Sequence, residues 1–204
     1  TLRFGSQAIG GVVNADNARI PTGIPWNGYN AEFRAAATTH DGGAEGAVLL
    51  DAGKGNAALH LDAFTRNAGD FAIPSYPYLP PRDQTLPFTG HQPNSAMRAH
   101  GQSIGGSYIF DGGFLGVAVA HYASLYRVPG LEATETNTRI DLAQTKITSK
   151  GEFRIDAGAI DTIRFWTGVT DYKHDELANE GGFDGVQQTF TNKAFEGRTE
   201  IQLA

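Results

Sequence analysis

Gly113-Phe114-Leu115-Gly116-Val117-Ala118-Val119-Ala120-His121-Tyr122-Ala123-Ser124-Leu125 is the stretch that decides the fold. Leu115, Val117 and Val119 alternate with Gly116, Ala118 and Ala120. In an extended chain successive side chains oppose each other. One face is therefore bulky and apolar, and the other is small. A second stretch, 57–67, repeats the pattern with a polar second face: Leu59, Leu61 and Ala63 point one way, and His60, Asp62 and Arg66 the other. Working outward, turn signals recur at short intervals: Asp41-Gly42-Gly43, Gly53-Lys54-Gly55-Asn56, Asp111-Gly112-Gly113 and Glu180-Gly181-Gly182. Alternating segments punctuated in this way describe a meander or barrel, not a βαβ fold. The predicted strands are 28–40, 44–53, 57–67, 101–110, 114–125, 138–150, 158–173 and 185–203. No stretch of helical period exceeds two turns.

Composition agrees. The chain has 204 residues, with 26 Gly, 9 Pro, one Met and no Cys. Gly stands well above its usual share of roughly 7%, as turns and strands require. The net charge of −6 argues against a nucleic-acid partner. Without Cys there are no disulfides and no thiolate metal sites. No apolar run approaches the roughly 18–20 residues of a membrane helix, but transmembrane strands alternate and escape that test. The start at Thr1, with no signal segment, reads as a processed or truncated start, and the first residues, which look like the middle of a motif, favour truncation.

An apolar face opposite a small or polar one suits lipid outside and a wet lumen inside. It suits equally the core-facing side of a soluble sandwich, and periodicity alone leaves both open. Two features favour the membrane. Short connections (53–56, 111–113) alternate with long ones (68–100, 126–137), as periplasmic turns alternate with extracellular loops. Pro74, Pro77, Pro80, Pro81, Pro87 and Pro93 keep 68–100 out of any ladder. Aromatics also gather at strand ends: Trp26, Tyr29, Phe110, Phe114, Tyr122 and Tyr126 are expected to form two interfacial girdles. Segment 138–150 is irregular. Ile140, Leu142, Gln144 and Lys146 share one face while Ile147 falls on the other, which predicts a bulge or emergence at a rim.

Candidate ligand-binding residues are His91, His100, His174, Asp175 and Glu176. The last three are consecutive, so they could converge only on a turn, and are expected at a loop. His60 and Asp62 share the lumen face, where they line it or meet a substrate or plug. No Gly-x-Ser-x-Gly elbow, phosphate loop or His-Glu-x-x-His is present, so no enzyme activity is expected. Gly101-Gln102-Ser103-Ile104-Gly105-Gly106 imitates a phosphate loop but lacks the Lys, and predicts close backbone packing instead.

The opening, Leu2-Arg3-Phe4-Gly5-Ser6-Gln7-Ala8-Ile9-Gly10-Gly11-Val12-Val13-Asn14, resembles the last plug motif of TonB-dependent receptors. The stretch 113–130, ending Tyr126-Arg127-Val128-Pro129-Gly130, resembles a strand-and-loop motif of the branch that contains zinc-regulated receptors. Ile140–Lys146, Thr170–Glu176 and Phe195–Arg198 follow in that branch's order, so the resemblance covers essentially the whole chain. It implies an all-β fragment: residues 1–20 end a plug, with Gly5, Ser6, Ile9, Gly10, Gly11 and Asn14 at the plug–barrel junction. Residues 21–204 then supply about eight antiparallel strands of a transmembrane barrel of about 22. It further implies an outer-membrane importer of a scarce nutrient in a Gram-negative bacterium, a metal, metallophore or similar, with haem, cobalamin and carbohydrate equally open, energised by a TonB-type partner through plug residues this chain lacks. No cofactor or resident metal is expected. The branch's His-rich loop is replaced here by Leu131-Glu132-Ala133-Thr134-Glu135-Thr136-Asn137, which removes the ground for assigning zinc. The rival expectations are a self-contained eight-stranded outer-membrane barrel and a soluble carbohydrate-binding β-sandwich.

Overall fold

The computed structural model describes residues 17–74 and 90–204. They form one antiparallel meander of eight strands in chain order. The strands are β1 (Tyr29–Ala37), β2 (Ala44–Lys54), β3 (Ala57–Ala68), β4 (Met97–Phe110), β5 (Gly113–Arg127), β6 (Arg139–Ala157), β7 (Ile160–Glu180) and β8 (Phe183–Leu203). Every expected strand is present. Among the described residues β1 and β8 do not pair, so the sheet is open, and no second sheet stacks on it. One short helix, α1 (Leu131–Glu135), occupies the connection after β5.

The two ends of the sheet differ. Residues 55–56, 111–112 and 158–159 make two-residue turns at one end. Connections 38–43, 69–96 and 128–138 lie at the other. There the 21-residue strands β7 and β8 also run well past their neighbours before turning at Gly181 and Gly182, whose φ values of 58° and 82° suit only glycine readily.

Asn94 ties the long connections together. It is buried, with φ 57°, and its amide donates to the carbonyls of Val128 (2.8 Å), Ala133 (3.0 Å) and Thr138 (2.8 Å). Asp70 does the same nearby, accepting from the Ser95 and Ala96 amides at 2.8 and 2.9 Å. Asn94→Ala is expected to remove the side-chain donor shared by three carbonyls, of which Ala133 and Thr138 keep backbone donors, and to cost about 1–3 kcal/mol. Faster amide exchange across 128–138, with the central strands unchanged, is the expected readout; unchanged exchange there would count against the clip.

Pairing partners share a face, so the register sorts every side chain. One face is crossed by segment 17–24. Ile20 is buried against Phe114 and Ala118, with Ile109 alongside. Gly105 and Gly116 make that approach possible: a Cβ on Gly105 would lie 1.7 Å from the Arg19 carbonyl oxygen, and one on Gly116 2.4 Å from Ile20 Cγ2. The close backbone packing expected of the glycine-rich 101–106 is therefore present. We call this the covered face, and its opposite the open face.

The open face carries the apolar residues. One row runs Ala31, Leu50, Leu61, Ile104, Val119, Ile147, Val169, Phe195, apolar on all eight strands. Ile104 (51%), Val169 (52%) and Phe195 (77%) are largely exposed. Among the described residues no large side chain is fully buried. A contiguous uncovered apolar surface of this extent marks an interaction face, not a solvent face.

Three expectations are corrected. Ile147 sits in unbroken register from Arg139 to Arg154, so no bulge accompanies it; the irregularity comes later, between Arg154 and Ala157. Ile140, Leu142, Gln144 and Lys146 simply share the covered face, and Ile147 the open one. Phe114 is buried on the covered face, and Tyr122 stacks on Phe64 there, so neither joins a girdle on the open face. Tyr126 also falls on the covered face by register. Among the described residues the open face carries a row of aromatic contacts at the tight-turn end, built by Tyr108, Phe110, Phe153 and Phe165 at successive ring separations of 6.3, 5.8 and 6.2 Å.

Candidate functional site

The covered face concentrates the polar chemistry. At its centre is His60, 2% exposed. Its Nδ1 is 2.6 Å from Asp51 Oδ1 and its Nε2 3.1 Å from Asp62 Oδ2. The local sequence explains the arrangement. His60 and Asp62, two apart on β3, share a face, and the β2–β3 register sets Asp51 opposite His60. On the other side Gly105 stands opposite His60 and leaves room for the ring, while Ser103 stands opposite Asp62 and donates its hydroxyl to it. Arg19 Nε then approaches Asp62 Oδ2 at 3.6 Å. The segment is thus held by an ion pair and by the Ile20 contact.

Both ring nitrogens of His60 are thus engaged by carboxylates. Its work is to cross-link two strands and orient Asp62 toward Arg19.

Two further groups extend along the covered face of β6–β8. Toward the tight turns Arg164 Nε donates to Glu152 at 2.7 Å, Lys146 bonds Glu196 at 2.5 Å, and the Arg198 guanidinium lies 4.0 Å over the Trp166 ring. Toward the far end the Tyr172 hydroxyl is 2.9 Å from His174 Nδ1, and the His174 ring stacks on Phe190 at 4.6 Å. Such a face offers hydrogen bonds and aromatic surface to a polar ligand or to covering chain.

The expected ligand residues do not come together. His174, Asp175 and Glu176 lie within β7, not on a loop. Strand alternation puts His174 and Glu176 on the covered face, 3.9 Å apart, and Asp175 on the open face with Lys173 (2.8 Å) and Thr189 (2.5 Å). His100 lies on β4 and is exposed on the open face. His91 forms an isolated bridge with Ala72 in the long connection. Among the described residues no three acidic or imidazole side chains converge as metal ligands. Gly5, Ser6, Ile9, Gly10, Gly11 and Asn14 lie outside the described residues.

The loop end has an acid of its own. Asp41 Oδ1 accepts from the Gly43 amide at 2.9 Å and from the Thr38 hydroxyl. The Thr38 bond, with smaller help from Gly43 and His40 and against burial, holds its carboxyl below the usual value of 3.8. A depressed native pKa gives stability that is present above 3.8 and lost as pH falls through the lower native value. The 38–43 turn is therefore expected to hold at neutral pH and loosen only in strong acid. A titration of the Asp41 carboxyl by NMR with a midpoint above 3.8 would contradict this.

No protein-family model matches the chain.

Proposed function

We propose that this chain is part of a TonB-dependent outer-membrane receptor: the end of a plug, within residues 1–20, and the first strands of a larger barrel in residues 21–204. It works as an importer of a scarce nutrient, a metal, metallophore or similar substrate, and not as an enzyme. The observation that carries the reading is the apolar band on the open face of all eight strands. It is edged by aromatics at the tight-turn end and by the polar row Gln102, His121, Thr145, Asp171 and Lys193 toward the long connections. Lipid on that face, interfacial aromatics, short turns on one side and long loops on the other are what a transmembrane barrel requires. The boundary also moves along the sheet. β1 stays apolar through Ala37, whereas β3 turns polar at Thr65 and β4 one row earlier, at Gln102. Strands tilted to the membrane normal produce that shift.

The colinear motifs described above support the TonB-dependent class. Segment 17–24 supports it too, because a chain lying on the lumen wall, held by Arg19–Asp62 and Ile20, is what the end of a plug would do. Transport then follows from withdrawing the plug under an energised partner's pull.

The test is the intact mass of the native protein in the outer-membrane fraction of its source. A product several times heavier than 21.8 kDa, with plug sequence before Thr1, is expected. Recovery from the soluble fraction would overturn the reading. Residues 1–204 expressed alone are expected to aggregate without detergent, because β1 and β8 present unpaired edges; a stable detergent-free monomer would contradict it.

A further inference from the structure

Between segment 17–24 and the long connections, the covered face leaves Phe64 (37%), Tyr126 (38%) and Phe190 (38%) exposed. All three are aromatic. Two of them belong to stacked pairs: Phe64 with Tyr122 at 6.2 Å, and Phe190 with His174 at 4.6 Å. Tyr172 meets His174 edge-on at 5.6 Å.

Gly101 sets the first pair. It stands between Phe64 and Tyr122 in the register, and a Cβ there would lie 2.5 Å from Phe64 Cε1. The missing side chain lets the Phe64 ring lie against β4 and reach Tyr122. Phe64, Gly101, Tyr122, Gln144, Tyr172 and Asn192 form one row across β3–β8. Strands about 4.8 Å apart put Tyr122 and Tyr172 about 10 Å from each other along the sheet. The Gln144 amide stands between them and the Asn192 amide beyond, each able to donate and accept.

Charge decides what suits this row. The cations nearest the rings are matched: Arg34 pairs with Glu32, Arg66 with Glu45 and Lys146 with Glu196. Among the described residues no three acids or imidazoles are grouped to take a bare metal ion. A wall that exposes rings beside neutral amides, with its nearby cations already paired, complements a neutral ligand that has flat apolar faces and hydroxyls at its rim. A pyranose has that form: its axial C–H groups pack on an aromatic face while its equatorial hydroxyls bond amides.

We propose that this row is a saccharide platform. The Phe64–Tyr122 and His174–Phe190 pairs hold the sugar rings of a neutral oligosaccharide, and Gln144 and Asn192 bond its hydroxyls. The inference rests on the receptor reading above, in which the covered face is a wet lumen wall, and it names the nutrient's class. The row lies one residue beyond the polar row Gln102, His121, Thr145, Asp171 and Lys193, toward the long connections. The platform therefore stands at the outer mouth of the lumen, where an incoming solute arrives first.

The test uses the full-length protein, purified from outer membranes into a sugar-free detergent and applied to an array of neutral oligosaccharides of bacterial, plant and fungal types. Capture of a neutral oligosaccharide is expected. Titration should show it weakened about 30-fold by Phe64→Ala/Phe190→Ala. Phe195→Ala, which removes an exposed ring on the opposite face, leaves it unchanged. Capture of no neutral glycan overturns the proposal, and so does equal affinity in the double variant. Binding of ferric citrate or Zn²⁺ that the same substitutions abolish overturns the choice of ligand. Should the double variant lose its detergent-resistant folded band, Gly101→Ala carries the comparison. Its Cβ meets the far edge of the Phe64 ring, which can turn aside, so the fold is kept and the platform lost; a weakening of about 5-fold is expected, and none would overturn the proposal. Failure of the receptor reading shows separately, as absence of the wild-type protein from the outer-membrane fraction.

Discussion

Val119→Arg is expected to lower the stability of the membrane-inserted sheet by about 2 kcal/mol, the cost of a cation inside the apolar band of a lipid-facing strand, which falls toward zero at the edge of the band. Val119 belongs to the row that is apolar on every strand, and it points away from segment 17–24. Its neighbours in the row, Ile104 and Ile147, offer no counter-charge. The same substitution at His121, one row higher and beside Gln102 and Thr145, is expected to cost far less because the side chain can reach the interface. Urea titration of the full-length protein in bilayers measures both. Equal costs at 119 and 121 would mean the band has no membrane boundary between them.

The second large effect concerns the covered face. Gly105→Val cannot be accommodated while residues 19–20 hold their place, because the Cβ alone would fall 1.7 Å from the Arg19 carbonyl. The obstacle is backbone, which cannot rotate aside as a side chain can. Segment 17–24 must lift off, exposing Ile20 and parting Arg19 from Asp62. Overpacking costs about 1–3 kcal/mol and unburying Ile20 about as much, so a loss near about 3 kcal/mol is expected. Gly46→Ala is the matched control, its nearest contact being 3.9 Å away on the opposite face. Trypsin cleavage at Arg19 should rise sharply in the first variant and not in the second. Equal cleavage would show that the segment is not seated on the glycines.

Much of this was legible in the sequence, for reasons specific to each element. All eight strands could be read because each connection carries Gly, Asp, Asn or Pro. The faces of β3 and β5 could be read because the alternation there is clean. The His60 cluster at the centre of the candidate site was half legible. His60-x-Asp62 gives a shared face, but Asp51 enters only through the β2–β3 register and Arg19 only through tertiary packing. The second half of β7 was misread as a loop because it is polar on both sides: Asp171, Lys173 and Asp175 open, Tyr172, His174 and Glu176 covered. A strand that has left the apolar band loses the alternation by which strands are recognised. The aromatics at Phe114 and Tyr122 misled for a related reason. Position along a strand does not fix which side a ring faces, and parity puts both rings on the covered face beside Ile20 and Phe64.

The central claim, that the open face meets lipid, has a direct test, made easy by the absence of native cysteine. Single cysteines at 115–120 would carry spin labels in the full-length protein reconstituted in bilayers, with collisions scored against oxygen and a water-soluble nickel chelate. The account predicts high oxygen and low nickel accessibility at 115, 117 and 119, and low accessibility to both at 116 and 118, beneath Ile20. Nickel accessibility at 117 and 119 equal to that of an exposed loop position would contradict it.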